Sequence, residues 1–136
     1  MKKTILILWA LLFICSSAHA YETLVPGDLP YVKAIVGEAL PDYQSMYAIA
    51  CAIRNRGTLQ GVYGLHAKHV ETASEFVFGK AELAWRQSAI KPDVVKGATH
   101  WLSDYDLKHS KPKRIAFRKQ MIETAYIGQT HFYRKK

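Results

Sequence analysis

Between Asp42 and Gly57 lies a stretch that leaves few choices for the fold. Met46, Ile49, Ala50 and Ile53 recur at i, i+3, i+4 and i+7, which is one stripe of an α-helix. Ala48, Cys51 and Ala52 keep the flanks of that stripe thin and uncharged, so this helix can be packed on nearly all sides. Asp42 supplies an N-cap, Arg54 and Arg56 suit the negative end of the helix dipole, and Gly57 stops the helix.

The length allows one core around such a helix. Lys2 and Lys3 precede an unbroken apolar run, Ile5 to Ile14, and Ala18-His19-Ala20 offers small residues where a signal peptidase reads. Residues 1–20 are therefore expected to be a signal peptide. The run is about half of the ~20 residues a membrane-spanning helix needs, so no stable membrane insertion is expected after cleavage. Cys15 is a poor lipoprotein site, because Ile14 stands where a small residue belongs. The mature chain, residues 21–136, is enough for one domain and too short for two. Its expected destination is the periplasm, the cell envelope or the medium.

Removing the leader takes the formal charge from +8 to +6 and leaves Cys51 as the one cysteine. No intramolecular disulfide can form, and the apolar neighbours of Cys51 make it a core residue rather than a nucleophile. A basic exported chain is drawn to nucleic acid, to anionic membranes or to the anionic wall polymer, and charge alone does not choose. The segment Lys111 to Lys119 is the one basic stretch with an interleaved aromatic, and an export signal argues against nucleic acid as its partner.

Asp28 is placed to cap a first helix with Pro30 in its first turn, and Val32, Ile35, Val36 and Ala39 form its stripe. Pro41 closes it. Gly57 to Ala73 reads as a long surface loop. A third helix runs from near Ser74 or Gly79 to about Ile90, with Ala81, Ala84, Trp85 and Ser88 on one face. Lys91-Pro92-Asp93 is a turn, and Ala98 to Ser103 is short and mixed. Glu123–Ile127 and Thr130–Arg134 flank Gly128-Gln129 as a hairpin with a type II′ turn. The expected fold class is a small α+β domain, helices followed by a short C-terminal hairpin or sheet.

Glu38 is the first candidate for chemistry. It ends the first helix, where unsatisfied carbonyls disfavour an ionised carboxylate, and Val36, Ala39 and Leu40 add apolar surroundings. A carboxyl kept protonated near neutral pH can protonate a glycosidic oxygen.

Four blocks around it resemble the SleB-type cell-wall hydrolases, the spore-cortex-lytic enzymes and their relatives. They are Ala34-Ile35-Val36-Gly37-Glu38-Ala39; the helix ending Ala52-Ile53-Arg54-Asn55-Arg56-Gly57; Gly97-Ala98-Thr99-His100-Trp101; and Ile127-Gly128-Gln129-Thr130-His131-Phe132-Tyr133-Arg134. In the last block the histidine is displaced by one position from the family's. The blocks occur in the family's order, and the resemblance covers about residues 32–134. It implies a lysozyme-like, lytic-transglycosylase-related fold and cleavage between N-acetylmuramic acid and N-acetylglucosamine. It places the family's catalytic glutamate on Glu38 and brings no metal or organic cofactor.

A two-carboxylate hydrolase would need a partner ~5–5.5 Å away if retaining, or ~6.5–9.5 Å if inverting. Asp42 has a simpler task as a cap; Asp104 and Asp106 could approach the cleft from elsewhere. A lytic transglycosylase needs one glutamate only, and the sequence leans that way. Thr99, His100 and Trp101 are the candidate sugar-binding wall, pairing an aromatic platform with hydrogen-bonding groups. Against this stands Trp101 as a core residue and His100 as a structural donor. His131, Phe132 and Tyr133 lean structural, Asn55 is placed to bond backbone, and Tyr47 either packs or faces the cleft. His66-x-x-His69, with His100, His109 or His131, lacks the helical motif of zinc peptidases, so no metal is expected. The expected partner is the peptidoglycan glycan strand, bound by a monomer. The reading from another class is a non-catalytic peptidoglycan-binding protein on the same scaffold.

Overall fold

The computed structural model describes residues 25–109 and 112–136, apart from the side chains of residues 113–115. The expected leader lies outside these residues, as does Lys111. Among the described residues no helix is long and apolar enough to cross a membrane.

Helix α1, Leu29–Glu38, buries Val32, Ala34, Ile35 and Val36. Asp28 stands at its N-cap but makes no side-chain cap bond, contrary to expectation. A 3₁₀ turn, Pro26–Asp28, runs directly into the helix, so Asp28 already has helical backbone angles and its carboxylate is not set to cap. At Ala39 the backbone turns extended, two residues ahead of Pro41.

Helix α2, Tyr43–Arg56, is the centre of the molecule. Every residue from Ser45 to Ile53 is buried. Asp42 caps it as expected: one carboxylate oxygen accepts from the Ser45 amide at 2.9 Å and the other from the Ser45 hydroxyl at 2.6 Å. Burial opposes the ionisation of Asp42, but these bonds and those of neighbouring amides outweigh it and hold its carboxyl below the usual carboxylate range. Gly57, at φ 72°, ends the helix with its amide on the Ile53 carbonyl at 3.0 Å.

The stretch expected to be loop contains structure. A 3₁₀ turn, Gly64–His66, and helix α3, Lys68–Thr72, lie against α1 and bury Val62, Gly64 and Val70. Neither element is long enough to show periodicity, and α3 has no side-chain cap, so tertiary contact rather than local sequence signal holds them. Helix α4, Glu75–Gln87, starts at Ser74, whose hydroxyl accepts from the Val77 amide at 3.3 Å, and packs Ala81, Ala84 and Trp85 onto α1 and α2.

The rest is a three-stranded antiparallel sheet in the order β1-β3-β2, made of β1 His100–Ser103, β2 Met121–Ile127 and β3 Thr130–Lys135. All four β1 residues are half-buried, so the strand carries no inside–outside alternation and reads from sequence as mixed. Between β1 and β2 come two helices that the sequence reading did not anticipate, α5 Asp104–Lys108 and α6 Pro112–Lys119. The first is short but begins with a Ser103/Asp106 capping box, and the second falls in the stretch read only for its charge.

The hairpin joins β2 to β3 through Gly128-Gln129, with Ile127 paired to Thr130. Its turn has positive φ at both residues, 56° and 60°, which makes it type I′ and not the expected II′. The packing explains why Gly128 is needed. A Cβ there would lie 1.9 Å from the Ser45 hydroxyl oxygen, so the turn rests directly on the first turn of α2.

Two outcomes follow from these contacts. Gly128→Ala is expected to cost about 2–4 kcal/mol in urea unfolding, since it adds a clash to a left-handed backbone. Asp42→Asn is expected to destabilise at neutral pH. Because Asp42's folded pKa is depressed, its contribution is present above the unfolded value and is lost as pH falls through the folded one. Unfolding midpoints of parent and variant should therefore converge in acid and stay apart at pH 7.

Candidate active site

The groove is built around the place where α1 stops. Gly37 lets the 3₁₀ turn come up against the helix: a Cβ on Gly37 would lie 1.8 Å from the Gly64 carbonyl oxygen. A Cβ on Gly64 would in turn lie 2.6 Å from Glu38 Cγ and Oε1. Two glycines facing each other thus bring backbone onto backbone, and the product of that approach is a hydrogen bond. The Gly64 amide donates to Glu38 Oε1 at 2.6 Å. His69 Nε2, on α3, donates to the Val36 carbonyl at 3.1 Å and ties the same segment to the end of α1.

The other carboxyl oxygen is held from the sheet. Trp101 Nε1, on β1, donates to Glu38 Oε2 at 2.9 Å. Each carboxyl oxygen has two lone-pair positions, so one accepted bond apiece leaves a second position on each for a proton or a further hydrogen-bond donor.

Glu38 lines two hollows, of about 480 Å³ and 460 Å³. Val36, Leu40, Met46, Val77, Asp104 and Tyr105 are among the walls of the first. Arg56, Tyr63, His100, Trp101 and Phe117 wall the second.

Of the expected sugar-binding trio, His100 and Trp101 line the second hollow, and Thr99 stands behind them. Its amide donates to Tyr133 O at 3.0 Å, and its hydroxyl lies 2.8 Å from His100 Nδ1. Burial, reinforced by the Arg56 and Lys135 charges, holds His100 below its ordinary pKa, so the ring is kept neutral. Arg56 reaches the carbonyls of Gln60 at 2.6 Å and Thr99 at 3.5 Å, and its guanidinium lies 5.9 Å from the Trp101 ring centre.

The other acidic candidates are all engaged elsewhere. Asp42 caps α2. Asp104 lines the first hollow, but its oxygens take the Tyr126 hydroxyl and His131 Nε2, each at 2.8 Å. The Tyr126 bond foremost, joined by the bond and charge of His131, outweighs desolvation and holds Asp104 below the usual carboxylate range. Asp106 lines the second hollow and takes both the amide and the hydroxyl of Ser103 in the capping box.

The remaining candidates have structural surroundings. His131 bridges Asp104 and Glu123, whose carboxylate lies 3.0 Å from Nδ1; Phe132 and Tyr133 are buried. Tyr47 packs in the core with its hydroxyl on the Pro92 carbonyl, and burial pushes its pKa up to about 12. Burial likewise raises the Cys51 thiol. His66 is exposed on the 3₁₀ turn. Asn55 donates to Ala98 O at 3.1 Å and to Asp93 at 3.0 Å, fixing the turn that leads into β1.

Sequence reasoning missed Gly64, Tyr63 and Tyr105. A glycine in a glycine-rich stretch gives no sign that it faces a catalytic candidate, and only the pairing with Gly37 singles it out.

No protein-family model matches this chain, and no curated protein or solved structure matches it either. The site is therefore read from its own chemistry.

Gly37→Ala is expected to destabilise the fold by at least about 2 kcal/mol, because the collision is with backbone that cannot rotate away. Equilibrium denaturation read by tryptophan fluorescence measures it; a loss under about 0.5 kcal/mol would show that the close approach does not hold the site together.

Proposed function

We propose that this chain is an exported peptidoglycan-cleaving enzyme of the SleB type, built on a lysozyme-like domain, with Glu38 as its single acid and base. The observation that carries the reading is the Glu38 carboxyl itself. It belongs to the one candidate acid that lines both hollows, each oxygen gripped by one N–H donor and each with a lone-pair position to spare. A linear polymer laid through both hollows brings one linkage past that carboxyl.

The protonated carboxyl gives its proton to the glycosidic oxygen between N-acetylmuramic acid and N-acetylglucosamine, and the C1–O bond breaks with positive charge building on the muramyl ring. The carboxylate then takes the proton of the muramyl 6-hydroxyl as that oxygen closes onto C1. The products are a 1,6-anhydro end and a free 4-hydroxyl, and Glu38 is protonated again. This route assigns Asp42 and Asp106 to helix caps and Asp104 to the Tyr126 and His131 contacts, and so calls on no second carboxylate. Gly64 and Trp101 act as positioning groups, fixing the carboxyl within the small tolerance such transfers allow. The signal-like leader agrees with a substrate outside the cytoplasm.

Residues 21–136 are expected to solubilise purified peptidoglycan, and Glu38→Gln to slow this by roughly 10²–10⁴-fold. Mass spectrometry of the released fragments should show anhydro-muramyl ends; reducing ends would instead mean hydrolysis. Equal rates for parent and variant would remove Glu38 from the mechanism, and glycan binding without any turnover would leave a binding protein.

A further inference from the structure

Two tyrosines stand open in the groove, one on each side of Glu38. Tyr63 is 81% exposed and lines the second hollow; Tyr105 is 70% exposed and lines the first. Neither hydroxyl makes a hydrogen bond among the described residues. A single exposed aromatic is ordinary and needs no explanation. These two differ in how firmly their backbone is held.

Tyr63 directly precedes Gly64, whose amide is fastened to the Glu38 carboxyl, and its own carbonyl accepts from the His66 amide at 3.1 Å. Tyr105 directly follows Asp104, whose side chain is held by Tyr126 and His131 and whose amide donates to Gln129 O at 2.9 Å. The His109 ring lies 4.2 Å from the Tyr105 ring, and the His109 amide donates to the Tyr105 carbonyl at 3.0 Å. Each backbone is thus anchored at the wall of its hollow while the ring stays in water, the Tyr105 ring with His109 beside it. A pyranose presents a flat array of C–H groups on one face, and the electron-rich face of a fixed aromatic ring complements it. With the backbone already held, only side-chain rotamers remain to be ordered on contact.

We propose that Tyr63 and Tyr105 are sugar-stacking platforms on opposite sides of the cleaved linkage, so that the groove grips a glycan strand internally and cuts within chains rather than from their ends. This rests on the glycan reading above. Neither platform touches the reacting atoms; both set where along the strand Glu38 meets a linkage.

The test uses residues 21–136 carrying Glu38→Gln, which blocks turnover, and soluble glycan strands from peptidoglycan freed of stem peptides. Tyr63→Ala and Tyr105→Ala should each raise the dissociation constant roughly 2- to 10-fold. Tyr→Trp at either site should restore binding, and unchanged melting temperatures would exclude a folding defect. With Glu38 intact, the alanine variants should raise KM more than they lower kcat, and early products should be a broad ladder of lengths. Undiminished binding by the double alanine variant, while the parent binds, overturns the platforms and leaves the glycan reading standing. Failure of the parent to bind glycan overturns both. Short end-released units as the sole early products overturn internal cutting.

Discussion

One close approach of backbone to backbone organises the site. A β-carbon at residue 37 or 64 would occupy space already taken by the facing segment, at 1.8 Å in one direction and 2.6 Å in the other. With both side chains missing, the 3₁₀ turn settles against the last turn of α1, and its Gly64 amide lands on the carboxyl that ends the helix. The segment before α4 is held by this contact together with the buried Val62 and Val70 and the His69 bond to Val36 O, since α3 lacks a side-chain cap. The contact that fixes the loop is the contact that fixes Glu38. Stability and placement of the acid are therefore one property.

The second grip on Glu38 is assembled from further along the chain. Asn55, near the end of α2, bonds Ala98 and Asp93; Asp93 in turn accepts from the amides of Val95 at 2.9 Å and Gly97 at 2.7 Å. That turn sets where β1 begins, and β1 delivers the Trp101 indole to the carboxyl. Gly128 presses the hairpin onto Ser45 at the other end of α2. The central helix thus positions the sheet at both of its ends, and the sheet supplies the donor that the helical layer cannot.

This division explains what could be read in advance. Asp42, Gly57 and the apolar stripe of α2 speak through local chemistry, which sequence carries directly, and the two-residue hairpin loop does the same through Gly128. The turn type was misread because a positive φ at Gln129 has no residue signal; it follows from the fit of the turn against Ser45. α3, β1 and α5 were not foreseen for a related reason: each is too short for periodicity to appear. Glu38 was legible from its place at a helix end, but its two N–H donors were not, because one comes from 26 residues and the other from 63 residues away in the chain.

The allocation of carboxylates around the groove has a mechanistic consequence. Asp104 and Asp106 both line hollows that Glu38 shares, yet each is bound to donors of the protein's own framework, as Asp42 is to Ser45. Asp104, like Glu38, accepts one donor at each oxygen, but its donors are the side chains of Tyr126 and His131, which tie the hairpin to the start of α5. Glu38 differs in lining both hollows, where Asp104 lines the first and Asp106 the second. In the proposed mechanism one acid first gives a proton and then takes one, and Glu38 suits that task in being held by two donors with a further lone-pair position on each oxygen. That position on both hollows is the reason the proposed mechanism uses one carboxyl twice and not two carboxyls once each.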